Sequence, residues 1–196
     1  MKDLFLIRHA HAGPYLLPDE GRNLSIRGIE EAQELKSIFM NNNFPVGFWY
    51  ISNTNRTIET AEILMGNVQK LGDSFDEHWY HATGPQYVEK LVSSHHDVIY
   101  LVAHNPSISF AASYFSGEMI QMETSSCVHL HWPMAHSWDE IIKGSAMVNL
   151  YINIMQKNRL IFRWILILFT LLMIALAIDM ARNTTAPWNK NKAKTN

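Results

Sequence analysis

Three short stretches of this chain place arginine or histidine directly after an apolar run. Arg8-His9-Ala10-His11 follows Leu4 to Ile7, Ser52 to Thr57 with Arg56 follows Phe48 to Ile51, and His104-Asn105-Pro106 follows Val98 to Val102. An arginine offers a planar fork of N–H donors that matches phosphoryl oxygens, and it stays charged at any relevant pH. A neutral imidazole nitrogen can attack phosphorus and carry the phosphoryl group covalently, which divides one hard displacement into two. Phosphoryl transfer asks mainly for positioning and charge neutralisation, so two arginines and a second histidine can serve without a metal ion. The chemistry requires only that the fold bring the three stretches together.

The elements that must do so are legible as patterns. The runs at 4–7, 48–51 and 98–102 have the continuous apolar character of strands buried on both faces. Ile29, Ala32, Leu35 and Phe39 recur at helical spacing after Ser25 and Gly28, as do Ile58, Ala61, Leu64 or Met65, and Val68 after Asn55. Further on, Val128, Leu130 and Trp132 alternate with His129 and His131, and Val148, Leu150, Ile152 and Ile154 alternate with polar residues, the strand period of two. Strands interleaved with helices predict an α/β three-layer sandwich with a mainly parallel central sheet. Its ligand site is expected beyond the carboxyl ends of the strands.

Charge is unevenly distributed. Residues 1–157 carry a formal charge of −7 and residues 158–196 one of +5, within a 196-residue chain whose net charge is −2. An acidic body excludes sequence-independent binding to nucleic acid, which is driven by lysine and arginine displacing counterions. Cys127 is the single cysteine, so neither an intrachain disulfide nor a cysteine-rich zinc module can form.

The apolar run Leu160 to Ile178 contains one charge, Arg163, near its start, with Trp164 beside it. As a helix it would rise roughly 28 Å, which predicts one C-terminal transmembrane helix with a snorkelling arginine and an interfacial tryptophan. The expected organisation is a catalytic domain at 1–157, a transmembrane helix at 158–182 and a short polar tail at 183–196. The N-terminal apolar run is too short for a secretory signal, so the expected location is a single-pass membrane protein with its catalytic domain cytoplasmic. Asn183-Thr184-Thr185 matches a glycosylation acceptor only in three residues.

Taken together, four stretches resemble the histidine phosphatase superfamily, also called phosphoglycerate-mutase-like. LFLIRHA at 4–10 is similar to the family's opening strand and Arg-His motif. Asn23 to Gly28 with Glu31-Ala32 resembles its LTxxGxxEA segment, Ser52 to Ala61 its SxxxRTxxTA segment, and Leu101 to Pro106 its LVGHNP segment. The short length, His78 to Ala82 and the Thr124 to Trp132 segment resemble the branch of small bacterial phosphohistidine phosphatases, over residues 3–154. The resemblance implies that His9 is the nucleophile, that Arg8 and Arg56 clamp phosphoryl oxygens, and that His104 completes the pocket. It also suggests Arg22 and Asn105 as substrate-binding residues. The family's larger members use a glutamate beyond the second arginine motif as proton donor; here Asp76, Glu77 and His81 stand in that region, and the choice among them is open.

No cofactor is expected, and no metal. His129 and His131 would share one strand face and could hold an ion, but the sequence shows no complete ligand set around them. No GxxxxGK[ST], GxGxxG or GxSxG occurs, so nucleotide-binding and serine-hydrolase chemistry lack their usual anchors. Two classes of function follow. One is a membrane-tethered phosphatase acting on a phosphohistidine protein or a small phosphomonoester through a phosphohistidine at His9. The other is a non-catalytic phosphate-binding membrane scaffold.

Overall fold

A computed structural model describes the backbone of residues 1–66 and 69–184, and their side chains except at 155–163, 179 and 181–184. Val68 of the second helical pattern and the tail from 185 onward lie outside the described residues. The chain divides into two compact units, Met1–Met155 and Gln156–Asn196.

Within the first unit, β1 (Lys2–Arg8), β2 (Gly47–Ser52), β3 (Lys70–Asp76), β4 (Val98–Ala103), β5 (Cys127–Trp132) and β6 (Met147–Ile152) form one sheet in the order β3-β2-β4-β1-β5-β6. The β3–β2, β2–β4 and β4–β1 pairings are parallel. The β1–β5 and β5–β6 pairings are antiparallel, so the expected mainly parallel sheet is a mixed one. The helices are α1 (Ile26–Asn41), α2 (Asn55–Met65), α3 (His78–His81), α4 (Gly84–Val92) and α5 (Ser107–Ser116), with α6 (Ile154–Thr184) running from the end of the first unit into the second.

Successive strand residues point to opposite faces, and each face is covered. Phe5, Ile7, Ile51 and Val102 pack with Leu35 and Phe39 of α1 and with Ala61 and Leu64 of α2. On the other face Leu4, Leu6, Leu101 and Val128 pack with Tyr87 and Leu91 of α4 and with Ile108 and Phe115 of α5. Burial on both sides is why the central strands are unbroken apolar runs. β3 carries no such run because it is an edge strand, exposed or half-buried along its length.

α1 starts where Ser25 Oγ accepts a hydrogen bond from Gly28 N at 3.0 Å, an N-cap. Its buried face is not quite the expected one: Ile29 is exposed and Glu31 is buried. The reason is polar rather than apolar. Glu31 Oε2 accepts from His11 N at 3.0 Å and Oε1 from Arg27 Nε at 2.8 Å, so the carboxylate ties the helix to the loop after β1.

The expected transmembrane helix needs correction. α6 is helical through the apolar run, but among the described residues no helix is long and apolar enough to cross a membrane. The expectation of a single-pass membrane protein rested on that span and falls with it, and the sidedness assigned to its catalytic domain loses the membrane it was defined against.

Candidate active site

β2, β4 and β1 are neighbours and parallel, so their carboxyl ends lie side by side. Arg8 ends β1 and His9 follows it, with His9 N donating to Ala103 O at 3.1 Å. His104 follows β4, and Arg56 sits in the first turn of α2. Thr60 joins these pieces: its Oγ1 donates to Arg56 O at 2.6 Å and accepts from Ala10 N at 3.1 Å. The result is a pocket of about 460 Å³ lined by Arg8, His9, Arg22, Arg56, His104 and Asn105, together with His11, Asp19 and Tyr80.

His9 and His104 face each other, with ring centroids 5.0 Å apart. His9 Nδ1 lies 2.8 Å from Ala10 O, a carbonyl that can only accept, so Nδ1 carries the proton and Nε2 the lone pair. Burial lowers the His9 pKa to about 3, and Arg56, Arg8 and Arg22 reinforce this against the Ala10 bond. Burial also lowers His104 to about 2, with His9 and Arg56 adding to it. Both rings are therefore neutral at pH 7. His104 Nε2 is 2.8 Å from Ser52 Oγ, while its buried Nδ1 has no protein partner. His104 lines the pocket beside His9.

The guanidinium groups are fixed in the same way. Arg8 Nη1 donates to Met122 O at 2.9 Å, and Asn105 Nδ2 donates to the same carbonyl at 2.8 Å. Asn105 Oδ1 accepts from Ser109 Oγ at 2.6 Å, so Asn105 braces the loop that holds Arg8. Arg22 and Arg56 converge on one carboxylate. Asp19 Oδ1 accepts from Arg22 Nη1 at 2.9 Å, and Oδ2 accepts from Arg56 Nη2 at 2.9 Å and from Tyr80 Oη at 3.0 Å. The Arg22 bond is the largest reason that Asp19 is held down to about 2. Three guanidinium charges against one carboxylate, with His9 and His104 neutral, leave the pocket net positive. That charge suits a phosphoryl dianion.

The structure thus brings Arg8, His9, Arg22, Arg56, His104 and Asn105 together. It does not bring the three proton-donor candidates to them. Asp76 is ion-paired with Lys90 and accepts from His78 N at 2.8 Å, and the lysine is the main reason its pKa is lowered. Glu77 and His81 line a neighbouring pocket of about 390 Å³ that shares Tyr80 as its wall. Sequence reasoning missed Asp19 and Tyr80. Neither belongs to a periodic pattern, and the only signal was Asp19 lying three residues before Arg22.

The chain matches no family model, and no curated protein matches it. Solved structures do match. A SixA protein of Agrobacterium tumefaciens assigned as a phosphohistidine phosphatase superimposes with a TM-score of 0.67 at 17% identity, covering 78% of this chain and 97% of that one. The protein histidine phosphatase SixA complexed with tungstate gives 0.60 at 15% identity, covering 77% and 96%. A phosphoserine phosphatase from Entamoeba histolytica in complex with 3-phosphoglyceric acid gives 0.55 at 13%, covering 78% and 98%. The likeness is one of fold: the chain has the phosphoglycerate-mutase-like α/β fold.

Proposed function

We propose that the chain is a phosphatase that works through a covalent phosphohistidine on His9. The observation that carries this reading is the state of His9: neutral, with Nδ1–H held by Ala10 O, Nε2 free as a lone pair, and Arg8, Arg22, Arg56 and His104 around it. The proteins of this fold named above include phosphohistidine and phosphoserine phosphatases, which supports the reaction class.

In the first step His9 Nε2 attacks phosphorus, the P–N bond forms and the bond to the leaving group breaks. The guanidinium groups carry the charge on the phosphoryl oxygens, with His104 beside them. In the second step water attacks the same phosphorus and the P–N bond breaks. Inorganic phosphate departs, taking up the water's oxygen and one of its protons; the other goes to solvent, and His9 is neutral again. No residue of this sequence needs a metal or cofactor to take part.

The substrate class follows from the leaving group. Among the described residues the carboxyl that lines the pocket is Asp19, and with its pKa at about 2 it is ionised and holds no proton to give. An alkoxide leaving group needs such a proton. A phosphohistidine protonated on its second ring nitrogen leaves as neutral imidazole and needs none. We therefore assign a phosphohistidine protein as the preferred substrate over an alkyl phosphomonoester.

The test is turnover of a phosphohistidine protein and of an aryl phosphate in the presence of EDTA, with His9→Ala alongside. The expected result is EDTA-resistant hydrolysis of both, faster on phosphohistidine, absent in His9→Ala, with acid-labile radiolabel trapped on His9. A folded chain that binds phosphate yet turns over neither substrate would leave a phosphate-binding module as the better reading.

A further inference from the structure

The opposite end of the sheet carries a second constellation. The antiparallel register sets Asp3 of β1 against His131 of β5, and Phe5 against His129. These four side chains therefore leave the sheet on one face. Asp3 Oδ1 is 2.7 Å from His129 Nε2 and 2.8 Å from His131 Nδ1, so both rings meet the same oxygen. The three atoms lie within 4.8 Å of one another. The His129 ring is stacked on Phe5 at 4.0 Å and 10°, with Phe44 edge-on at 6.1 Å, so its direction is set by packing.

The electrostatics of this cluster are incomplete. Asp3 and His129 are buried, and the side chain of His131 is 20% exposed. The Asp3 carboxylate takes both rings on its one oxygen Oδ1. Among the described residues its ion-pair partners are these two imidazoles alone. The adjacent Lys2 points to the other face and is paired with Asp97. A buried carboxylate with no lysine or arginine beside it is a place where a cation is favoured.

The geometry points to a divalent transition-metal site, of the zinc class, formed by Asp3, His129 and His131. Two imidazole nitrogens and one carboxylate oxygen are the donor set zinc takes, and the side of His131 open to solvent leaves the fourth position for water. Tetrahedral ligands at about 2.0–2.1 Å from zinc stand about 3.3 Å apart. The present contacts must therefore open by about half an ångström, within reach of side-chain rotation. On binding, the ring nitrogens that meet Asp3 present their lone pairs to the metal, with each ring's proton on its outer nitrogen. The site lies at the start of β1, about 20 Å along the strand from His9. It would staple the parallel half of the sheet to its antiparallel half, and it is independent of the phosphatase reading.

The sequence alone does not show this site, because the third ligand stands 126 residues before the first histidine. The test uses the full chain, stripped with chelator and dialysed. Titrated Co²⁺ is followed by its visible ligand-field bands, and Zn²⁺ by displacement of the cobalt and by thermal melting. The expected result is one equivalent bound with tetrahedral-type absorption, and a higher melting temperature with zinc. Binding should be weakened roughly 100-fold or more in His131→Ala, with aryl phosphate turnover unchanged in that variant. His131 is chosen because it is the least buried of the three, and His131→Gln provides a second variant of similar size. His9→Ala should bind the metal as the wild type does. No saturable binding, or binding in His131→Ala and His131→Gln as tight as in the wild type, would overturn the site and leave the cluster as two rings hydrogen-bonded to Asp3.

Discussion

Acid should unfold this protein through its own pocket. His9 and His104 have native pKa values of about 3 and about 2, against about 6.5 for an unfolded histidine. Because the native values are depressed, the unfolded chain binds more protons than the native one between pH 6.5 and about 3. The stability contributed by the neutral rings is then present above pH 6.5 and lost as pH falls below it. At pH 4.5 each unfolded histidine gains about 2.7 kcal/mol by protonation that the native ring forgoes, and both together cost about 5.4 kcal/mol. The figure hardly depends on the native values so long as they stay below about 4. Against a typical total of roughly 5–15 kcal/mol it is a large fraction.

The assay is urea unfolding followed by tryptophan fluorescence at pH 7.5 and 4.5 in phosphate-free buffer, for the wild type, His9→Gln and His104→Gln. Carboxylates that titrate in the same window are common to all three chains and cancel in the comparison. Each variant should lose about 3 kcal/mol less than the wild type over this interval. Identical losses in all three would show that the native rings take up protons as readily as the unfolded ones, so that burial does not hold them neutral.

Other substitutions test how the pocket is held. Asp19→Asn raises the net charge of the pocket by one; a carboxylate about 5 Å from a dianion in a solvent-open pocket costs about 1.5 kcal/mol. Inhibition by inorganic phosphate should therefore tighten roughly 10-fold at low salt and less at high salt, whereas weaker inhibition would mean that Asp19 serves chiefly to position Arg22 and Arg56. Gly28→Ala places a Cβ 2.1 Å from His11 O, so α1 must move off the loop after β1. A loss of about 2 kcal/mol or more in unfolding free energy is expected, together with reduced turnover. Thr60→Val keeps the side chain's size but strands Ala10 N and frees Arg56 O. Denaturant unfolding should show a loss of about 1–3 kcal/mol, with kcat falling more than KM rises.

What could be read from the sequence, and what could not, divides along one physical line. Leu4 to Ile7, Phe48 to Ile51 and Val98 to Val102 announced their strands because both faces of the central sheet are covered, so every residue there had to be apolar. β3 escaped because an edge strand has no such requirement. Ile29 was placed on the buried face of α1 by periodicity, yet Glu31 takes a buried position because its carboxylate has two donors to satisfy, His11 N and Arg27 Nε. Arg8, His9, Arg56 and His104 were legible because each stands where a buried strand or its following helix begins or ends. Asp19 and Tyr80 owe their places to the charges they face, and Asp3 meets His129 and His131 only through strand pairing. Periodicity reports what must be hidden from water. A polar partner is chosen by what it must neutralise, which becomes visible only when the chain has folded, and the tests that separate the two are therefore substitutions at Asp19 and Asp3 rather than at the histidines that the sequence already advertises.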